Sequence, residues 1–326
     1  MKKGYKLMTT AALAGMLLGG AGWVTAATDV HASAAGKASA AYSAAAQKAG
    51  KATELTQNGI TLGVSEAFYD GNYIKISLKR SGKNLVGGIT DSKYDEKTQD
   101  SLREKGAIKD VQILIDGKDL LKLGGDRMSK RPAMFTGKGE TPDQAVIQVS
   151  DPSWLGGQQY TFPNKFKLTA KITLEGVDKP YTFDLSMQKS AAKPIALKPN
   201  VSKKLGGRTV VLNQINATST STRIQLIEKG FEKGKPSEFM YEFVDDQGNR
   251  LGEISRFGTD ENNKAGDMYY NCLLGPLGKN VKSITLKAYK PEYMEPGATS
   301  GLFKLDENGE IVKQEVKELE MMVKVK

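Results

Sequence analysis

From Asn58 to Lys79 apolar and polar side chains alternate at period two. Ile60, Leu62 and Val64 alternate with Thr61, Gly63 and Ser65, and Ile74, Ile76 and Leu78 alternate with Lys75, Ser77 and Lys79. This period places one row inward and the other outward on a half-buried sheet. Asn58-Gly59 and Asp70-Gly71-Asn72 bound the runs and tolerate the positive φ of tight hairpin turns. The same signal recurs at Val111–Ile115 before Asp116-Gly117, at Ala145–Val149, at Phe166–Leu174, and at Tyr181, Phe183 and Leu185. Lys93–Lys109 is polar, with Leu102 and Ala107 among its few apolar positions, and predicts a short surface helix or long loop. Gly124–Thr141 predicts a loop, basic at Arg127, Lys130 and Arg131.

Ala191–Asn200, with Pro194 and Pro199, predicts a linker, because proline cannot continue a ladder. The opening pattern then restarts. Val210 and Leu212 precede a polar turn at Thr218–Ser221, and Ile224 and Leu226 follow it, so that Val210 stands 150 residues after Ile60. At this spacing Gln214 and Glu228 interrupt the match to Val64 and Leu78. Looser echoes follow. Phe239, Tyr241 and Phe243 before Asp246-Gln247-Gly248 parallel Val111–Gly117, Val281–Tyr289 parallels Phe166–Leu174, and Leu319–Lys326 parallels Tyr181–Met187. The expectation is an all-β chain of two tandem immunoglobulin-like antiparallel β-sandwiches following a signal peptide, at residues 53–190 and 201–326 with a proline-containing linker at 191–200. Duplication of one sandwich explains the shared order, and chance likeness among half-buried strands is the alternative.

Residues 1–34 carry a secretion signal pattern. Lys2, Lys3 and Lys6 precede an apolar stretch, Leu7–Val24, and small-residue cleavage patterns follow up to Ala34. An uncleaved anchor is the competing reading, since that stretch approaches the shortest length that spans a bilayer. The Ala/Ser/Gly/Lys-rich residues 35–52, with Tyr42 the one large apolar side chain, read as a tether. The chain has 326 residues and a formal net charge of +10. The excess is diffuse, with Lys37, Lys48, Lys51 and Lys198 in the connecting segments, which argues against nucleic acid as a partner. The single cysteine, Cys272, forms no disulfide within the chain, so the fold rests on apolar cores.

Chemistry is sparse. His31, beside the expected cleavage site, is the only histidine, which removes histidine-based triads, His-ligated zinc and imidazole proton shuttles. Cys272 therefore has no imidazole to activate it and reads as a buried small hydrophobe. Ser186-Met187-Gln188-Lys189 and Ser190-Ala191-Ala192-Lys193 spell Ser-x-x-Lys, but one ends a strand and the other enters a linker. Asp260-Glu261-Asn262-Asn263 with Asp267 is the best oxygen-ligand cluster, yet Lys264 and Gly266 break the calcium-loop pattern and a solvated loop is expected. Asp245-Asp246-Gln247-Gly248 and Asp306-Glu307-Asn308-Gly309 read as hairpin turns. Trp154 with Tyr160, and Tyr269-Tyr270, are candidate aromatic platforms, with core packing the favoured role. Arg127, Lys130 and Arg131 are a solvated face by default and a polyanion contact as the minor alternative. No catalytic, cofactor or metal residue is assigned.

The run TQNGITLGVSEAFYDGNYIKISLKR, Thr56–Arg80, resembles the opening of an uncharacterised extracytoplasmic domain of sigma-factor-regulator-like proteins from spore-forming Gram-positive bacteria. The second half, with STSTRIQL and the closing VKELEMMVKVK, is similar to the immunoglobulin-like domain that often follows it. The resemblance spans about Thr53–Lys326 and implies no catalytic residues. Those relatives place a cytoplasmic regulatory segment before a membrane helix, whereas this chain opens at Met1 on a leader, so anti-sigma activity is not expected. The implied role is a non-catalytic, secreted or cell-envelope binding or sensing module. Its partner would be an envelope polymer or surface protein, with membrane contact only if the leader stays uncleaved. A structural spacer assembling through sheet edges, and a hydrolase relying on carboxylates alone, are the alternatives.

Overall fold

The computed structural model describes residues 54–326, apart from 96, 233, 235 and 236. The expected signal peptide, tether and His31 lie outside the described residues. In chain order the first strands are β1 (Glu54–Gln57), β2 (Ile60–Tyr69), β3 (Ile74–Gly82), β4 (Lys93–Asp95), β5 (Asp100–Leu102), β6 (Ile108–Ile115) and β7 (Lys118–Asp119). They continue with β8 (Ala133–Lys138), β9 (Gln144–Ser150), β10 (Lys165–Leu174) and β11 (Tyr181–Gln188). The second half holds β12 (Ile195–Leu197), β13 (Val201–Leu205), β14 (Arg208–Ala217), β15 (Thr222–Lys229) and β16 (Met240–Asp245). It ends with β17 (Glu253–Thr259), β18 (Met268–Leu274), β19 (Ser283–Pro291), β20 (Lys313–Glu315) and β21 (Met321–Lys324). Short 3-10 turns at Leu120–Lys122, Met128–Lys130 and Lys317–Leu319 are the only helical pieces among the described residues.

The chain is all-β, and its named strand pairs are antiparallel. Sheets ordered β1-β2-β3-β9-β8 and β11-β10-β6-β7 close on one apolar cluster that includes Ile60, Leu62, Ile76, Ile113, Leu168 and Phe183. Sheets ordered β13-β14-β15-β18-β17 and β21-β19-β16, with short β12 and β20 added at their edges, close on a second cluster that includes Leu212, Ile224, Phe243, Leu286 and Val323. The inward rows are those that alternation marked, because burying one face of each pleated strand removes the most apolar area from water.

Each pair of sheets has the same strand order, and the correspondence is closer than a spacing of 150 implies. The first turn lies between Tyr69 and Ile74 and its counterpart between Ala217 and Thr222, a shift of 148 residues, which is also the separation of Asp70 and Thr218. Both opening hairpins carry a bulge at corresponding places, between Val64 and Glu66 and between Leu212 and Gln214. At this shift Leu212 matches Val64, and Glu228 matches Arg80 rather than Leu78. The even difference of two kept inward residues facing inward, which is why the sequence pattern concealed it.

Three further segments differ from expectation. Lys93–Asp95 pairs with Asp100–Leu102 as β4–β5 rather than forming a helix or loop, with Tyr94 and Leu102 exposed; the segment's sequence lacks an apolar stripe at helical period. Within the expected basic loop, Ala133–Lys138 pairs with β9 as an edge strand, where one-sided contact demands little apolar alternation. In the expected linker, Ile195–Leu197 pairs with Ile215–Ala217, since the three residues between Pro194 and Lys198 have free amides.

The two sandwiches meet along a face. Strand β15 points Ile224, Leu226 and Glu228 into its own core and Arg223, Gln225 and Ile227 the other way, yet both rows are buried. The Asp151–Leu155 loop of the first sandwich covers Arg223 and Gln225 of the outer row, and its β2–β3 turn docks on the Thr218–Ser221 turn beside them.

Candidate functional site

The junction is built turn against turn. Asp70, read from sequence as a hairpin residue, is buried. Its Oδ1 accepts from the N–H groups of Asn72 and Tyr73 at 2.8 and 3.0 Å, a local turn that frees the other oxygen. Oδ2 accepts from the hydroxyls of Thr218, Thr220 and Ser221 at 2.8, 2.8 and 2.5 Å. Asn72 donates to Asn216 O and Ser221 Oγ, and Asn216 Nδ2 donates back to Asn72 Oδ1 at 2.8 Å. The polar turn residues that would be solvated in an isolated hairpin thus satisfy one another across the junction. Beside them the Arg223–Asp151 ion pair, at 3.0 Å, is almost wholly buried. Arg223 also donates to Asp151 O and Asn271 Oδ1 and stacks its guanidinium 4.5 Å from the Trp154 ring centre. Such a pair offsets its desolvation only with further hydrogen bonds, which Nε and Nη2 make here.

Trp154 is therefore part of the junction. Its carbonyl also accepts from Gln225 Nε2 at 2.6 Å, and Tyr160 packs on the first core beside Phe162. Tyr269 lies so close to Gly156 that a Cβ there would meet the ring at 2.9 Å. The Asp260–Asp267 segment is not the expected solvated loop. Asp260 accepts from Gly234 N, Glu261 accepts from Ser129 Oγ at 3.0 Å, and Asn262 donates to Ser129 O and Leu155 O. Asp260 and Glu261 oxygens are held by protein donors while Asn262 Oδ1 is buried without a partner, and no metal-ligand group occurs among the described residues. Arg131 ties its own loop through Gly125 O and Asp126 O. Ser186 faces solvent on β11, and the Ser190 hydroxyl accepts from Ala192 N. Cys272 is buried and its thiol is pushed up to about 12, chiefly by desolvation, with the Arg256 charge opposing.

Two charged residues missed at the sequence level lie at the ends of the sandwiches remote from the paired turns. Arg80 extends the inward row Ile74, Ile76, Leu78 by one step, and Glu228 extends Ile224, Leu226 in the same way; carrying period two one position further identifies both. The Glu228 carboxylate accepts from Ser237 Oγ at 2.6 Å, from the Tyr241 hydroxyl, and from Tyr270 OH at 3.2 Å. Burial raises its pKa, while the three hydroxyl donors and Arg208 pull the other way; Tyr241 and Tyr270 are pushed well above the usual phenol range by burial and the facing carboxylate. Arg80 is pinned by Asp143 Oδ1 at 2.9 Å and Gly87 O at 2.5 Å, and its Nη1 is buried without a partner. An open cleft of about 470 Å³ adjoins it, lined by Lys79, Ser81, Asn84, Leu85, Thr141 and Asp143 among others.

Residues 195–323 match the model of a family of unknown function (DUF5643), which begins at the first residue of β12. Comparison with curated proteins finds no match. Among solved structures the chain is similar to the conserved domain protein from Bacillus anthracis, at 11% identity and a TM-score of 0.52, over 87% of this chain and 94% of that one. At that identity the likeness shows the fold alone. No helix among the described residues is long and apolar enough to cross a membrane.

Proposed function

We propose that this chain is a non-catalytic binding or sensing module of the cell envelope, exported by its leader and presenting two sandwiches as one fixed body to an envelope polymer or surface protein. The observation that carries the reading is the junction. Asp70, Asn72, Asp151, Arg223 and Asn262, the side chains best equipped for chemistry, are engaged in architecture. The remote ends and connecting loops remain available to a ligand, as is usual for loops held on a rigid scaffold. The resemblance of Thr56–Arg80 to extracytoplasmic domains of sigma-factor-regulator-like proteins, and the leader pattern at 1–34, support a location outside the cytoplasm. Pull-down of the leaderless chain against purified cell-wall fractions and culture-surface proteins tests the reading. Saturable capture of one fraction is expected, and failure to bind any fraction by a monomeric chain overturns it.

A structural, self-assembling role draws support from a different region. Between β19 and β20 the chain makes an irregular hairpin, bridged at Tyr293–Phe303 and Leu305–Ile311, which exposes Met294, Leu302 and Leu305. Concentration-dependent mass by sedimentation, lost in Leu302→Asp, would favour assembly.

A further inference from the structure

We propose that the cleft at the remote end of the first sandwich is an oxyanion site. Arg80 is its anchor, Leu85 its cover, and its ligand is a singly charged phosphodiester or carboxylate on a hydroxyl-bearing chain. The proposal rests on the binding reading above and supplies its ligand chemistry.

An arginine stands where the strand pattern calls for an aliphatic side chain. Arg80 follows Ile74, Ile76 and Leu78 on the inward row and is 1% exposed. A buried guanidinium is expensive unless its donors are matched. Nε and Nη2 have Asp143 and Gly87 O, while Nη1 has no partner. A buried unpaired donor on a charged group is an exception that calls for a cause.

The adjoining space supplies one. The 470 Å³ cleft is lined by Arg80 itself, and Lys79 adds a second cation. Ser81, Asn84 and Thr141 contribute two hydroxyls and an amide, and Asp143 one carboxylate. A guanidinium edge bonded on two of its nitrogens and free on the third suits a single oxyanion oxygen. Two cations against one acid accommodate one negative charge and disfavour a polyphosphate. The hydroxyls, the amide and Asp143 match hydroxyl groups on the ligand chain.

Leu85 lines the cleft and also lies beside Nη1. A Cβ on Gly106 would meet Leu85 Cδ2 at 2.7 Å and Arg80 Nη1 at 3.2 Å, so the methyl and the unpaired nitrogen crowd the same spot, which a side chain at 106 would fill. Residues 83–88 belong to no strand, and Asn84 and Gly87 adopt positive φ. Leu85 can therefore swing out without breaking a ladder. At the matching position of the second sandwich Glu228 has three hydroxyl donors. Of these two matching positions, the one with an unpaired group is the one beside the cleft; Arg256 Nε, on β17, is also buried without a partner but lines no cleft.

The test is titration of the leaderless chain, followed by NMR at the Arg80 side-chain Nε–H and the Leu85 methyls. The probes are glycerophosphoglycerol for the phosphodiester arm and glucuronate for the carboxylate arm, with glycerol and glucose as neutral controls. One anionic probe is expected to move both signals saturably, and the neutral controls to move neither; the responding arm identifies the source. Arg80→Met should weaken binding by roughly tenfold or more, the loss expected for a charge-assisted hydrogen bond. Leu85→Ala should tighten it several-fold by removing the cover. No response to either anion, equal response to neutral probes, or Leu85→Ala binding like wild type overturns the proposal, even if Arg80→Met does not fold. Envelope capture that persists in a folded Arg80→Met chain also overturns the cleft while leaving the binding reading intact. Absence of capture by wild type overturns both.

Discussion

Arg80 and Glu228 stand at the same place in two sandwiches of the same strand order, one buried cation and one buried acid, and their surroundings treat them in opposite ways. Glu228 is enclosed by three hydroxyls from Ser237, Tyr241 and Tyr270 and has no bonded cation among the described residues. Arg80 has a carboxylate partner, but Asp143 is 51% exposed and the guanidinium keeps one unpaired nitrogen. Backbone equivalence therefore does not fix the role of an inward position. What decides it is whether neighbouring loops bring donors and acceptors, as Ser237 does for Glu228, or leave space, as residues 81–88 do for Arg80. Arg223 at the junction gives the limiting case, a buried cation with its carboxylate equally buried.

This ranking can be broken by measurement. Arg223→Ala leaves Asp151 buried without its cation and should cost about 3–5 kcal/mol in urea unfolding. It should also split one cooperative calorimetric transition into two, as the sandwiches uncouple; a single transition of wild-type stability would show that the junction does not hold them together. Glu228→Ala strands the buried Tyr241 hydroxyl and the partly buried ones of Ser237 and Tyr270, and should cost roughly 3 kcal/mol. Arg80→Met should cost less than about 1 kcal/mol, because the half-exposed Asp143 can turn to water and Nη1 already lacks a partner. A larger cost for Arg80→Met than for Glu228→Ala reverses the comparison.

The smallest effect is in pH dependence. Burial raises the Glu228 pKa in the folded chain, so folding favours its protonated form. The stability this gives is complete below the unfolded glutamate value, near 4.3, and is lost as pH rises through the raised folded value. Glu228→Gln should flatten that part of the stability curve and gain on wild type as pH increases. Parallel wild-type and Glu228→Gln curves between acid and neutral pH would assign the slope to other groups.

Local chemistry alone specified the strands, the inward rows and the turns. Period-two alternation at Ile60–Val64 or Phe166–Leu174 is a property of a few consecutive residues, and Asn58 and Asp116 took the positive φ that their turns required. The edge strand β8, the added strand β12 and the shift of 148 escaped notice because each depends on a partner strand far along the chain. Docking settled the rest. Whether Asp70, Arg223 and Gln225 face water or another protein surface is decided by the sandwich laid over them, and no periodicity within a strand records what covers its outer face.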